Sequence, residues 1–336
     1  MTLAAHVRTL GRGPGRSRNL TREEACDAMA EILTGQAAPE AVGALLMLMR
    51  FRGESPAELA GFVDALRPTL PVWDGAPPAI DWPSYAAGRS RGLPWFLLSA
   101  RLLGEAGLPV LLHGARASDD ADDAFELMLQ AAGIPLARHG DADARRYLTE
   151  HGVAFLPLRA LSPKAVGLLR LREVLGLRSA INTVLRIMNP AGAACSVQGV
   201  FHPPYRALQR DACALLGQPA SLVLKGGGGE FERHPGKEIA LFGQRAGAGW
   251  DDRTPALLDE ASLRLKDGPA DDTNPAALSA LWSGDLHDPF AEAIVTGTTA
   301  VALLAKGRAG SVAEADAQAR ALWTARNTAH AASPVC

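Results

Sequence analysis

Apolar residues at helical spacing dominate the first seventy positions of the chain. Thr21 and Ser55 are each followed three residues later by a glutamate, which is typical of a helix N-terminus. Between them, the apolar positions that recur three and four residues apart are Ala41, Leu45, Leu46 and Met49. This spacing predicts one packed face of a helix, so the region is predicted to be a small helical bundle. A cluster of prolines at 68–78 predicts a linker after it.

From residue 80 onward, short apolar runs alternate with longer stretches of helical spacing. The runs are Pro109–Leu112, Val153–Leu156 and Leu222–Leu224, and the helical stretches include Asp123–Ala132, Tyr205–Leu216 and Val312–Arg326. Alternation of strands and helices is typical of a parallel or mixed sheet covered by helices. The predicted fold class is therefore α/β, with a small N-terminal helical bundle and a larger domain built on a central mixed sheet.

The first 22 residues contain five arginines and no acidic residue. Glycines at positions 11, 13 and 15 are unfavourable inside a helix, so we expect a solvated tail or an entry strand here. An arm that contacts phosphates is the alternative.

Composition excludes some classes of protein. The chain is 48% hydrophobic and 21% charged, as ordinary globular proteins are, and no apolar run reaches the roughly 18 residues that a membrane span needs. The four cysteines show no metal-type spacing and fit a reducing compartment, so we expect a soluble cytoplasmic protein without a membrane partner. A net charge of −2 gives no global argument for a polyanionic partner, so such an argument must rest on local clusters.

Residues 162–192 contain a recognisable motif. A capped helix start, Ser162-Pro163, leads through Leu175-Gly176-Leu-Arg178 to Asn189-Pro190-Ala-Gly192. This segment resembles that of anthranilate phosphoribosyltransferases and nucleoside phosphorylases, the glycosyltransferase family 3 fold, and the similarity extends from Thr21 to about residue 326. The resemblance implies a discontinuous division of the chain. The helical domain would comprise residues 1–72 with 162–178 returning to it, and the α/β domain residues 79–161 and 179–336.

The catalytic motifs of that family are altered in this sequence. Its glycine-rich pyrophosphate loop falls at 84–88, where only Gly88 is a glycine, and its Mg²⁺-binding Asp-Glu pair falls at Phe231-Glu232. The phosphate contacts that follow the loop in the family fall at residues 94–97, where this chain has apolar side chains. Ser162 stands where the family has a histidine, and Leu185-Arg186 where it has Gly-Pro. We therefore expect no catalytic residues, no metal and no cofactor.

The resemblance leaves a residual pocket as an alternative. Its members would be Gly88, His113, Arg116, Arg172 and Glu232. They would form the site of a transferase for a different phosphorylated sugar or acceptor, and only this alternative would involve Mg²⁺. Arg172 has two further interpretations, as a helix cap or as the ion-pair partner of Glu173 or Glu126.

The altered motifs are themselves similar to those of the YbiB-type branch of this family. They are Asp81–Tyr85, Leu93–Trp95 and the run Lys225–Glu230. That branch implies a homodimer associated with nucleic acid, and apolar residues of the bundle, Ala41 to Met49, are expected to supply the dimer face. The glycines of 226–229 are either a ligand loop or a turn. Tyr85 and Trp95 either stack on bases or lie in the core.

Local charge favours a nucleic-acid partner. Residues 157–190 contain six basic residues and a single acid, Glu173. The residues expected to contact nucleic acid are Lys164, Arg170, Arg172, Arg178 and Arg186. A solvated helix face is the competing interpretation, and Arg170 and Arg172 point in different directions on an ideal helix. The function expected from the sequence is binding of DNA or RNA without strong sequence preference, with anthranilate phosphoribosyltransferase activity lost.

Overall fold

The computed structural model of the chain describes residues 2–85, 92–116, 118–259 and 274–326. Four helices form the N-terminal bundle: α1 (Leu3–Gly11), α2 (Arg22–Thr34), α3 (Pro39–Arg52) and α4 (Pro56–Leu66). Both predicted helix starts are confirmed as reciprocal capping boxes. The amide of Glu24 donates to Thr21 Oγ1 (3.2 Å) while the amide of Thr21 donates to Glu24 Oε2 (2.9 Å), and Ser55 and Glu58 repeat the pattern.

Two expectations for this region are corrected. Residues Leu3–Gly11 of the N-terminal arginine-rich stretch form a helix and not a tail or strand, because Leu3 and Leu10 bury one face; Arg12, Arg16 and Arg18 follow this helix. The predicted dimer-forming residues Leu45, Leu46 and Met49 are fully buried within the chain itself. They pack in one cluster with apolar residues of α1, α2, α4 and later helices, so they are not available to a second copy.

One mixed sheet forms the centre of the larger region, as predicted. Its strands are β1 (Ile80–Ser84), β2 (Val110–Gly114), β3 (Val153–Pro157), β4 (Cys195–Val200), β5 (Ala220–Lys225), β6 (Ile239–Arg245) and β7 (Ala248–Thr254). The spatial order is β3-β2-β1-β4-β5-β6-β7, in which β1 to β5 are parallel and β6 and β7 antiparallel. Helices cover both faces, since the buried apolar residues form two clusters that share the strands between them.

The remaining helices follow the strands. They are α5 (Phe96–Glu105), α6 (Asp119–Ala131), α7 (Asp141–His151), α8 (Leu158–Leu161), α9 (Pro163–Leu175), α10 (Ile181–Ile187), α11 (Tyr205–Leu215), α12 (Ala276–Ser283), α13 (Pro289–Lys306) and α14 (Val312–Ala325). Helix α9 contacts the N-terminal bundle, because Lys164 Nζ donates to the carbonyl oxygen of Leu33 (2.9 Å). No helix in the described ranges is long and apolar enough to cross a membrane.

The sheet topology creates a cleft between β1 and β4. From β1 the chain proceeds to β2 on one side, and β4 later pairs with the other side of β1. The β1–β4 register covers only Ile80–Cys195 and Asp81–Ser196, so the two strands separate toward their carboxyl ends. Ligands of open α/β sheets bind at this kind of switch point, which is therefore the first place to look for a site.

Candidate functional site

A buried network of hydrogen bonds lies beneath the cleft. Tyr85 Oη is 2.9 Å from His113 Nδ1, His113 Nε2 is 3.0 Å from Asp81 Oδ1, and Ser196 Oγ donates to Asp81 Oδ2 (2.7 Å). None of these side chains is more than 2% exposed. Burial, and secondarily the charge of Asp81, raises the pKa of Tyr85 well above its ordinary value. This hydrogen-bond network therefore fixes β1, β2 and β4 relative to one another. Because His113 is fully buried within it, His113 is not on the wall of the cleft.

Arg116 crosses the floor of the cleft just after β2. Its guanidinium donates to Ser84 Oγ (2.7 Å) and to Glu230 Oε1 (3.2 Å), and it lies 3.7 Å from the ring centroid of Phe125. Glu230 is 1% exposed. A charge-assisted pair in such a buried place is shielded from water, so the positive charge of Arg116 is already neutralised by the protein.

The glycine run after β5 has a steric role. A Cβ on Gly199 would lie 2.0 Å from the carbonyl carbon of Glu230, and a Cβ on Gly226 would lie 1.8 Å from the Glu230 carbonyl oxygen. Gly228 and Gly229 have φ of 65° and 90°, which side-chain-bearing residues rarely adopt. The glycines thus let residues 226–232 fold back against β4. Of the two interpretations of the run, this geometry favours the turn over the ligand loop.

This folded-back segment carries a second carboxylate to the start of α5. The amide of Phe96, the first residue of α5, donates to Glu232 Oε2 (3.2 Å), and Glu232 is 5% exposed. The family resemblance places phosphate-binding contacts at residues 94–97. A helix N-terminus favours an anion there, and in this chain the anion is the carboxylate of Glu232.

The residues at the family's metal position do not fit Mg²⁺. Phe231 offers no ligand atom and packs edge-on against Trp82, with ring centroids 5.2 Å apart. Glu230 is paired with Arg116, and Glu232 caps α5. Within the described residues there is no group of three or more histidine, cysteine, aspartate or glutamate side chains that could hold a metal ion. Gly88, the remaining glycine of the altered pyrophosphate loop, lies outside the described residues.

Two of the five residues predicted to contact nucleic acid instead donate hydrogen bonds to backbone carbonyl oxygens within the protein. Arg186 is 7% exposed, and it donates to the carbonyl oxygens of Asn182 and Tyr85 (both 3.0 Å). Burial lowers the pKa of Arg186, whereas the nearby carboxylate of Glu230 acts in the opposite direction. Arg186 is therefore an internal residue of the cleft and not part of an outer basic face. Lys164 holds the end of α2 through Leu33.

Three other arginines lie near one another, and one of them, Arg172, lines a cavity together with Arg116; we call this end of the cleft its mouth. Burial lowers the pKa of Arg178, and the positive charges of Arg172 and Arg50 lower it further. Arg50 belongs to α3 and was not among the residues that the sequence singled out. The next residue, Phe51, is 90% exposed. We call Arg50, Arg172 and Arg178 the arginine cluster.

Arg170 and Arg172 line the same small cavity, of about 50 Å³, at the carboxyl ends of β2 and β3. The two side chains therefore reach the same cavity, although an ideal helix would point them in different directions. Arg116 and Arg159 also line it. Glu126, one suggested partner of Arg172, instead pairs with Arg138 (2.6 Å) and Arg159 (2.7 Å).

The aromatic side chains near the cleft divide into two groups. Tyr85 and Trp95 are 2% and 3% exposed, which favours the core interpretation over base stacking for both. Phe51 and Phe201 are 90% and 52% exposed, and they lie next to Arg50 in α3 and just after β4. Exposed rings are the ones that a partner could contact.

The family models place the chain in a known class. The helical bundle domain of the glycosyl transferase family matches residues 6–69, and the α/β domain of that family matches residues 97–328. The chain therefore belongs to this glycosyl transferase family and has the fold of its phosphoribosyltransferases.

Particular relatives narrow this placement. The uncharacterized protein YbiB of Escherichia coli K12 is 30% identical over 236 residues, which cover 68% of this chain and 72% of that protein. Anthranilate phosphoribosyltransferase of Thermus thermophilus is 30% identical over 312 residues, 90% of each chain. These matches confirm the resemblance to the YbiB-type branch.

Solved structures agree on the fold. The crystal structure of the Thermus thermophilus anthranilate phosphoribosyltransferase superposes with a TM-score of 0.75 at 25% identity, covering 95% of this chain and 94% of that one. The Saccharomyces cerevisiae enzyme, in complex with PRPP and Mg, gives a TM-score of 0.73 at 15% identity over 96% and 93% of the two chains. At that identity the second likeness concerns the fold alone.

Proposed function

We propose that this phosphoribosyltransferase-fold protein no longer transfers phosphoribosyl groups and binds nucleic acid, without strong sequence preference, as a homodimer. The observation that carries the proposal is the arginine cluster at the mouth of the cleft, with the exposed Phe51 adjacent to Arg50 in the sequence. Positive charges held close together gain from a neighbouring anion, and phosphodiesters supply such anions in series.

The loss of transferase activity is supported by the protein's own carboxylates. Glu232 takes the helix N-terminus where the family resemblance puts a phosphate contact, and Glu230 neutralises Arg116. A phosphorylated donor would have to displace two buried carboxylates from charge-assisted partners. Breaking a buried pair typically costs about 3–5 kcal/mol, which is comparable with the free energy of millimolar binding.

Nucleic acid suits the mouth of the cleft better than a small anion does. The arginines come from α3, from α9 and from the loop after α9, and Phe51, which follows Arg50 in α3, is almost fully exposed. Single-stranded nucleic acids bind to grooves that combine positive charge for the backbone with aromatic rings for the bases. Neither feature reads sequence, so the proposal includes only weak sequence preference.

A homodimer is proposed on the apolar side chains that remain at the surface. Val174 is 83% exposed and Leu177 is 50% exposed, at the end of α9 and just after it. They take the place of Leu45, Leu46 and Met49, which are internal. Exposed apolar patches mark interaction surfaces, and two copies joined near this point would bring two arginine clusters to one nucleic acid.

Fluorescence anisotropy with labelled oligonucleotides of unrelated sequence tests the binding proposal. The double variant Arg50→Gln/Arg178→Gln should bind at least about tenfold more weakly, and its affinity should depend less on salt, by about 0.7–0.9 in log–log slope for each lost phosphate contact. Arg320→Gln is the matched control, since Arg320 is an exposed arginine on α14. Equal binding by the double variant and the control would exclude the cluster as the interface.

Calorimetry with phosphoribosyl pyrophosphate and Mg²⁺ tests the other half of the proposal. The wild-type protein should show no tight binding and no turnover with anthranilate, because the anion positions are already filled. Micromolar binding accompanied by turnover would instead establish the transferase alternative.

A further inference from the structure

A second cavity, of about 310 Å³, lies at the opposite edge of the sheet from the cleft. Its walls come from the loop before β4, the loop before β5 and the short turn after α4; they include Arg67, Leu70, Asn189, Gly192, Leu216 and Gln218. The loops before two parallel strands meet at the amino-terminal edge, whereas the cleft lies at the carboxyl edge. The cavity is therefore separate from the proposed nucleic-acid site.

Arg67 is the charged residue in the wall of this cavity. Its Nε donates to the carbonyl oxygen of Met188 (2.7 Å), and burial lowers its pKa. Asp64, whose charge acts on Arg67, is held by both Nε (2.6 Å) and Nη2 (3.0 Å) of Arg22. Among the residues that the structure describes, Nη1 and Nη2 of Arg67 have no hydrogen-bond partner. A partly desolvated guanidinium with an unused donor edge gains from an anionic acceptor.

The amide side chains of the wall are already used in fixing its shape. Asn189 Nδ2 donates to Gln218 Oε1 (2.7 Å) and to the Ala193 carbonyl oxygen (2.8 Å), which also accepts from Gln218 Nε2 (2.9 Å). Gly192 and Gly217 have φ of 65° and 67°, and a Cβ built on either would meet no atom within 4 Å. The wall is thus rigid and open, and Arg67 is left as its polar recognition group.

We propose that this cavity binds a small organic carboxylate. With Nε of Arg67 occupied by Met188, the remaining Nη1–Nη2 edge matches the two oxygens of one carboxylate. Leu70 and Leu216 supply apolar contacts for the body of the ligand. The volume equals about ten water molecules in the liquid, which suits a compact acid, and the single cation favours a monoanion over a phosphate dianion.

Titration calorimetry with benzoate tests this proposal, with benzamide as its uncharged counterpart. Wild-type protein should bind benzoate saturably in the millimolar range and benzamide at least about tenfold more weakly. Arg67→Gln, which keeps a donor for the Met188 carbonyl, should bind benzoate at least about tenfold more weakly than the wild type does. Arg172→Gln at the other edge of the sheet is the matched control and should bind benzoate as the wild type does.

Amide chemical shifts locate the site independently. Benzoate should perturb the amides of Gly192 and Gly217 in wild-type protein and leave them unchanged in Arg67→Gln, whose fold is checked by the rest of its spectrum. No saturable benzoate binding by the wild type, or equal affinity in Arg67→Gln, would overturn the assignment. Oligonucleotide affinity of Arg67→Gln should equal that of the wild type, so failure here and failure of the nucleic-acid proposal remain distinguishable.

Discussion

Single side chains are the basis of the proposal that this cleft no longer serves as a phosphoribosyl site. Glu230 and Glu232 each hold a group that an external anion would otherwise use, namely the guanidinium of Arg116 and the amide end of α5. Sequence alone identifies both glutamates but not their partners, because Arg116 is 114 positions away from Glu230 and Phe96 is 136 positions away from Glu232. For Arg186 the sequence shows the charge but not the burial, so it was wrongly expected to contact a partner at the surface.

His234 gives a pH dependence that can be measured. Burial lowers its pKa to about 4, and its Nδ1 accepts a hydrogen bond from the amide of Gly236 (3.0 Å). In the unfolded chain a histidine titrates near 6.5, so between about pH 6.5 and 4 the unfolded state binds more protons than the folded state. The stabilisation by neutral His234 is therefore complete above that window and is lost as the pH falls through it.

The variant His234→Asn isolates this effect, because asparagine can accept the same hydrogen bond and does not titrate. Urea unfolding at about pH 7 and about pH 5 should show a larger loss of unfolding free energy in the wild type than in the variant. Equal losses in both proteins would mean that His234 is not the group responsible.

Elements were predictable where their pattern is local. Strands β2, β3 and β5 were predicted from short apolar runs and helices α6, α11 and α14 from helical spacing, each to within a few residues. Helix α9 was predicted from its Ser162-Pro163 start and the family resemblance. Strand β1 was not, since it contains Pro83, which lacks the amide that a central strand normally uses. The β6–β7 hairpin was also missed: its turn uses Ala246 and Gly247 at φ of 49° and 81°, and β7 is largely exposed.

The return of residues 226–232 against β4 depends on one absent side chain. Gly199→Ala would place a Cβ 2.0 Å from the Glu230 backbone, so we expect a loss of about 1–3 kcal/mol in unfolding free energy, with displacement of the segment. Gly167→Ala is the matched control, because Gly167 lies within α9 and a Cβ there meets no atom within 4 Å. That variant should gain about 0.5–1 kcal/mol.

Denaturant unfolding of the two glycine variants measures both changes. The opposite signs are the informative result, since the smaller conformational freedom of alanine in the unfolded chain would by itself favour alanine at both places. If Gly199→Ala were as stable as the wild type, the segment would have room that the structure does not show, and its steric role would be wrong.

At the scale of the whole molecule, the cleft mouth is assembled from parts far apart in the chain. Arg50 lies at the end of α3, and Arg172 and Arg178 lie near the end of α9 or just beyond it, more than a hundred residues later. The sequence therefore indicates the charge of residues 157–190 but not the contribution of α3. It also does not show that Leu45, Leu46 and Met49 are internal, because a helical period identifies a packed face without saying whether the partner is the same chain or a second copy.

The double variant Val174→Asn/Leu177→Asn tests how assembly and binding are connected. Both side chains are exposed in the single chain, so uncharged polar groups there should leave the fold intact and weaken association without changing the charge beside the arginine cluster. Light scattering at micromolar concentration should show a dimer for the wild type and a monomer for the variant. If each dimer offers two arginine clusters to one oligonucleotide, the monomer should bind long oligonucleotides at least about a hundredfold more weakly, while its affinity for oligonucleotides too short to reach both clusters stays the same. A wild-type monomer, or a uniform loss at every length, would contradict this connection and leave each cluster acting alone.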